Sequence, residues 1–180
     1  MVRPGTEVAN GSTLLLAVPG VIVGGKVTAS NLGWIDADAA AELGCAGPAA
    51  LVMNDAEAAA LGESVLRGGR DLVFLGVGTG VGGAVVIDGR VVEANLFGHA
   101  KGFSDQLCSC GAVGCLETVA AGWALPDPLP AAALADLGAA LARAVQGETV
   151  ATPELVVLGG GLIRRHPAVV AAVAHALPHR

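Results

Sequence analysis

Short apolar runs cut by glycine and proline fill the first half of the chain, and alanine-rich amphipathic stretches come mainly later. In "STLLLAVPGVIVGGKVTAS" (Ser12 to Ser30) the interruptions at Pro19-Gly20 and Gly24-Gly25 predict short β-strands. "DADAAAELG" (Asp36 to Gly44) reads as a short helix with Asp36 as N-cap and Gly44 as its stop. "AALVMND" (Ala49 to Asp55) reads as a buried strand ending in two polar residues, followed by a helix that terminates at Gly68-Gly69. Leu72 to Leu75 is expected as a strand, Val77 to Gly83 as a glycine loop, and Ala84 to Ile87 as a further strand. Asp88-Gly89 is a hairpin signal leading into Arg90 to Glu93. Helices are expected over Leu116 to Ala124, Ala131 to Val145 and Pro167 to Leu177, with a strand over Pro153 to Gly161. Strands alternating with helices define an α/β class.

Composition narrows the picture. The 180 residues are 53% hydrophobic but only 3% aromatic, so the core must be built from Val, Leu, Ile and Ala. A net charge of −6 with no basic run argues against nucleic-acid binding by this chain alone. The most apolar early run, Leu14 to Val23, is too short to span a bilayer and is broken by Pro19-Gly20. It also lacks a basic leader, so no membrane association and a cytoplasmic location are expected.

Three of the four cysteines fall in "CSCGAVGC". With His99 they form His-x8-Cys-x-Cys-x4-Cys, and Gly111 and Gly114 allow the turn that folds Cys115 back onto Cys108 and Cys110. A Cys3His set suits tetrahedral Zn²⁺ and leaves no position open for water, which makes the expected zinc structural. Disulfide formation and chance clustering are the alternatives; a reducing compartment and the odd third thiol disfavour the first. Cys45 reads as a small packed side chain.

"GVGTGVGG" (Gly76 to Gly83) superficially matches a dinucleotide fingerprint, but a strand and hairpin follow where that fingerprint needs a helix. What remains is a strand–loop–strand whose amides can approach a phosphate, with the Thr79 hydroxyl as a further donor, or a glycine hairpin with no ligand. Asn54 and Asp55 end a strand. There a carboxylate can take the proton of an attacking sugar hydroxyl while Asn54 bonds its neighbour, and Asp55 can equally cap the following helix.

Taken in order, "AVPGVIVGGKV", "NLGW", "NDAEAAALGE", "GVGTGVGGAVVIDGR", "GH", "CSCGAVGCLE" and "LVVLGGGL" resemble the ROK family of repressors and sugar kinases. The resemblance runs collinearly from about Leu14 to Leu162. It implies the actin/hexokinase-like (ribonuclease H-like) ATPase fold, here an incomplete first lobe over 1–68 and most of the second over 69–180. Asp55 would be the general base and Asn54, His99 and Glu117 the sugar contacts, with a second nitrogen of His99 on zinc. Gly78, Thr79 and Gly80 would hold ATP phosphates, with Gly159, Gly160 and Gly161 beside the nucleotide and Mg²⁺ accompanying it. The acceptor would be a hexose or N-acyl hexosamine, and a homodimer would be compatible.

The resemblance also has departures. No Asp-x-Gly-x-Thr phosphate loop precedes Ser12, Leu96 stands where the family has Glu, and Asn95 replaces Gly. The chain therefore resembles the middle and later part of a larger pattern, with slow or absent turnover expected. A sugar-sensing regulator lacking its DNA-binding region is the alternative within the family, and an inactive remnant is a third.

Overall fold

The computed structural model describes residues 14–45, 51–94, 97–148 and 154–178. The chain divides into two compact units, 1–58 and 59–180.

In the first unit, β1 (Leu15–Val18) pairs in parallel with β5 (Leu51–Asn54). Strands β2 (Val21–Val23), β3 (Lys26–Ala29) and β4 (Trp34–Ala37) form a separate antiparallel sheet. The breaks expected at Pro19-Gly20 and Gly24-Gly25 are present. Helix α1 (Ala39–Glu42) is shorter than expected, and its cap is Asp38 rather than Asp36. Asp38 Oδ1 accepts the amides of Ala40 and Ala41, whereas Asp36 lies within β4. Strand β5 is not a buried strand: of its residues only Asn54 is buried, because among the described residues it pairs with β1 alone. Residues 49 and 50 of that expected strand lie outside the described residues.

Helix α2 (Asp55–Leu66) ends where Gly68 and Gly69 adopt positive φ, as expected. The division between units falls inside this helix, whereas the sequence reading sets it at 68/69. Ala60, fully buried, belongs to the apolar cluster of the second unit with Leu72, Phe74, Ala84 and Val86.

The second unit is built on a four-stranded sheet ordered β8-β7-β6-β9. Strands β6 (Leu72–Val77), β7 (Val81–Ile87) and β8 (Arg90–Ala94) form an antiparallel meander, and β9 (Leu155–Gly159) runs parallel to β6. The sheet is apolar on both faces, which explains the near-continuous apolar run of β6. Leu72 and Phe74 join one cluster; Val73, Leu75 and Val77 join the other. The glycine loop is shorter than expected, since Val77 and Val81 to Gly83 belong to strands and only 78–80 form the turn. Gly82 and Gly83 stay in the sheet, and a Cβ on Gly83 would lie 2.6 Å from Phe97 Cδ2. Asp88 and Gly89 both take positive φ, as the expected hairpin requires.

Helix α3 (Glu117–Ala120) is much shorter than the expected 116–124, because Ala121 turns extended and Gly122 donates to Gly78 O at 2.7 Å. Helix α4 (Ala131–Glu148) places Leu137, Leu141, Ala144 and Val145 on one buried stripe. A short helix not anticipated from sequence, α5 (Gly161–Arg165), follows β9, and α6 (Ala168–Ala176) packs against α4.

The α4–α6 contact is tightest at Gly138, where an added Cβ would lie 2.5 Å from Ala172 Cβ. Gly138→Ala gains about 1 kcal/mol of helix propensity. Overpacking costs roughly 1–3 kcal/mol, so steric cost wins. Chemical denaturation is expected to show net destabilisation; a more stable variant would refute this packing.

Candidate functional site

The expected residues fall into two sets. In the first unit, Asn54 closes β5 and Asp55 opens α2. Asn54, 4% exposed, is the residue that caps the helix: its Oδ1 accepts the Ala56 amide at 2.8 Å and the Glu57 amide at 3.4 Å. Its Nδ2 donates to Gly20 O at 3.0 Å, which leaves one amide hydrogen for another acceptor. Asp55 is therefore not the cap. It is exposed, and its Oδ1 accepts the Ala56 amide at 2.9 Å, while among the described residues no hydrogen bond reaches the other oxygen.

In the second unit, four ligand atoms of His99, Cys108, Cys110 and Cys115 lie within 4.8 Å of one another. Cys110 and Cys115 sulfurs are 3.6 Å apart, and Cys108 Sγ is 3.8 Å from His99 Nδ1. A tetrahedral ion with metal–sulfur bonds of about 2.3 Å needs edges of roughly 3.5–3.8 Å, so the residues fit one. The loop geometry is local in origin. Gly111 and Gly114 take positive φ, Cys108 N donates to Ala112 O at 2.8 Å, and Gly114 N donates to Gln106 O at 3.0 Å. Behind it, Thr118 Oγ1 donates to Cys115 O at 2.6 Å and accepts from Ser104. Arg143 of α4 clamps the loop through Gly102 O at 2.9 Å and lies over the Phe103 ring.

Three thiolates and an imidazole around a dication leave one negative charge. Lys101 Nζ, 2.8 Å from Cys115 Sγ, offsets it, and that sulfur holds the lysine pKa above its ordinary value. Burial pushes the Cys115 thiol up, whereas the nearby Ala112 amide pulls the Cys110 thiol down.

The glycine turn 78–80 closes on itself through Gly78 N donating to Gly80 O at 2.9 Å. Glu117 Oε1 accepts the Val81 amide at 2.7 Å, which joins the end of the cysteine loop to this turn. The register Gly76↔Gly159 sets the second glycine run beside the first. Gly78, Thr79 and Gly161 thereby line one cavity of about 730 Å³. Its other walls are Gly122, Trp123, Leu162, Arg164 and Arg165, none of which stands out in the sequence except that the two arginines follow the glycine run. Residues 95 and 96, where the family pattern is broken, lie outside the described residues.

The sequence model of the ROK family matches residues 5–128, and the chain belongs to that family. N-acetylmannosamine kinase of Salmonella paratyphi B is 44% identical over 85 residues, which cover 43% of this chain and 29% of that protein. The chain thus spans under a third of the length of that curated relative. Among solved structures, the ROK hexokinase from Thermus thermophilus superposes with a TM-score of 0.68 at 26% identity, covering 91% of this chain and 67% of that one. A ROK family transcriptional regulator, a homologue of the E. coli MLC protein, superposes with a TM-score of 0.64 at 20% identity, covering 93% and 55%. The α/β fold is the actin/hexokinase-like fold of these ROK proteins. No helix among the described residues is long and apolar enough to cross a membrane.

Purified protein is expected to carry one zinc per chain by elemental analysis, and a chelator or Cys110→Ser to lower its melting temperature. Metal binding on the order of 10 kcal/mol is comparable to the whole stability of a domain, so the shift should be large. The ligand thiols must be deprotonated to bind, so zinc release should accelerate as pH falls. A melt indifferent to chelation would remove the metal assignment.

Proposed function

We propose that the chain carries out ATP-dependent phosphoryl transfer to a hexose or N-acylated hexosamine. The acceptor oxygen attacks the γ-phosphorus, the bond to ADP breaks, and the hydroxyl proton passes to the open carboxylate oxygen of Asp55. Asn54 holds the β5–α2 corner that fixes Asp55 and offers its remaining amide hydrogen to the sugar. His99 and Glu117 are the further sugar contacts. The amides of Thr79 and Gly80 and the Thr79 hydroxyl hold donor phosphates; Gly78, whose own amide closes the turn on Gly80 O, lines the cavity beside them, with Gly159 to Gly161 beside the nucleotide. Bound with ATP, Mg²⁺ would offset the charge of the transferring group. Zinc, held by His99, Cys108, Cys110 and Cys115, would stiffen the loop that carries two sugar contacts and supply no chemistry of its own.

The observation that most supports the reading is the cavity onto which Gly78, Thr79 and Gly161 converge, in a fold 26% identical to a hexokinase. Arg164 adds positive charge to that cavity, as a polyphosphate requires, and Arg165 adds a charge partly offset by Asp127 at 3.7 Å. A sugar-sensing role within the family is favoured by one feature, Leu96 in place of a sugar-facing Glu. Because the fold is shared with a regulator, chemistry at the site must decide.

The test is ADP release from ATP and Mg²⁺ in the presence of glucose or N-acetylmannosamine. Slow sugar-dependent release is expected, in keeping with the departures from the family pattern, and it should fall by about a further 10²-fold in Asp55→Asn. Release indifferent to Asp55→Asn overturns the assignment of the base. Sugar binding without any transfer favours the sensing role.

A further inference from the structure

We propose that Glu117 is a positioning residue for the glycine turn, holding it in place through the Val81 amide with one carboxylate oxygen while the other remains open. The inference rests on the reading of that turn as a donor-phosphate loop. It assigns Glu117 a second task beyond contact with an acceptor.

Four observations carry it. Glu117 Oε1 accepts the Val81 amide at 2.7 Å, and Val81 is the first residue after the turn. Val77↔Val81 is the last register pair of β6 and β7, so the turn beyond it is bonded only to itself and to its surroundings. Its other anchor is Gly122 N, which donates to Gly78 O at 2.7 Å from the far end of α3. The carboxylate is also wedged sterically: a Cβ on Gly80 would lie 2.5 Å from Glu117 Oε1, and a Cβ on Gly98 would lie 3.3 Å from Glu117 Cγ. Both anchors of the turn thus come from one short stretch, 117–122. Glu117 lies two residues after Cys115, so the stretch that fixes the turn continues directly from the cysteine loop.

A carboxylate accepting a backbone amide makes a charge-assisted bond, stronger than an ordinary one. A turn of Gly-Thr-Gly has little rigidity of its own, because glycine leaves the backbone many alternatives. Loss of the bond should therefore free the turn without unfolding the sheet beneath it.

The test pairs Glu117→Ala, Glu117→Gln and Gly80→Ala with two readouts: hydrogen exchange of the Val81 amide and the dissociation constant for ADP. In Glu117→Ala, exchange at Val81 and the ADP dissociation constant should each rise on the order of tenfold, the effect of losing one charge-assisted bond. Glu117→Gln should restore much of both, since its side-chain carbonyl still accepts, though without the charge. Gly80→Ala should mimic Glu117→Ala by displacing the carboxylate, and its effect should vanish in the double variant, where nothing remains to displace. Metal content and melting temperature, measured alongside, should hold in Glu117→Gln and Gly80→Ala. If Glu117→Ala fails to fold, those two variants still decide the matter. Unchanged Val81 exchange in Gly80→Ala, failure of Glu117→Gln to restore protection, or equal cost of Gly80→Ala in both backgrounds overturns the proposal. If the unaltered chain binds no ADP while Val81 exchange responds as stated, the donor-site reading fails and the positioning contact stands.

Discussion

Backbone-to-backbone approach around the β6–β7 hairpin is the constraint on which the second unit depends. Gly122 lies so close to the turn that a Cβ would sit 2.8 Å from Gly78 O. A Cβ on Gly160 would collide with Val77 O, and one on Gly98 with Val81 O. Three segments from different parts of the chain therefore reach the hairpin tip only because each offers a glycine there. Core van der Waals contacts hold the sheet and helices together, but this approach decides which loops meet. The Gly160 conformation, with φ of 95°, adds a backbone requirement to the steric one.

From that constraint the division of labour follows. The cysteine loop has few apolar residues of its own and is tied down by Thr118 beneath it and by Arg143 across it. It ends at Leu116, fully buried, and delivers Glu117 to the hairpin. The parallel pairing of β9 with β6 then brings Gly161 to the same tip. A rigid sheet with three loops pinned to one end is a common way to build a site in α/β proteins, with functional groups at strand ends and stability in the layers behind.

What was legible in the sequence was what is local. Cysteine spacing, the Asp88-Gly89 hairpin and the glycine stops of α2 are each decided within a few residues, and the structure brings the four metal-ligand candidates together. Short-range competition was harder to read. Asp36 and Asp38 are chemically equal candidates for a cap, and only the reach of β4 decides between them. Asn54 rather than Asp55 caps α2 because the strand ends one residue earlier than the carboxylate. Helix α3 stops at Ala120 although its sequence continues as helix-forming, because the Gly122 bond to Gly78 overrides propensity.

Long-range convergence beyond what the family resemblance implies was not legible. Trp123 and the Arg164-Arg165 pair meet at one cavity only through a register linking Leu72 with Leu155. Glu117 and Val81 are 36 residues apart, and neither carries a local signal of the other. Such contacts have a recognisable precondition, however: glycines with no turn to make. Gly98, Gly122 and Gly83 have no positive φ to explain them, and each faces a close neighbour that a side chain would strike. A glycine that the backbone does not need marks a place where another segment must come close: Gly138 does so where α4 meets α6, and Gly98 and Gly122 do so around the turn that follows β6.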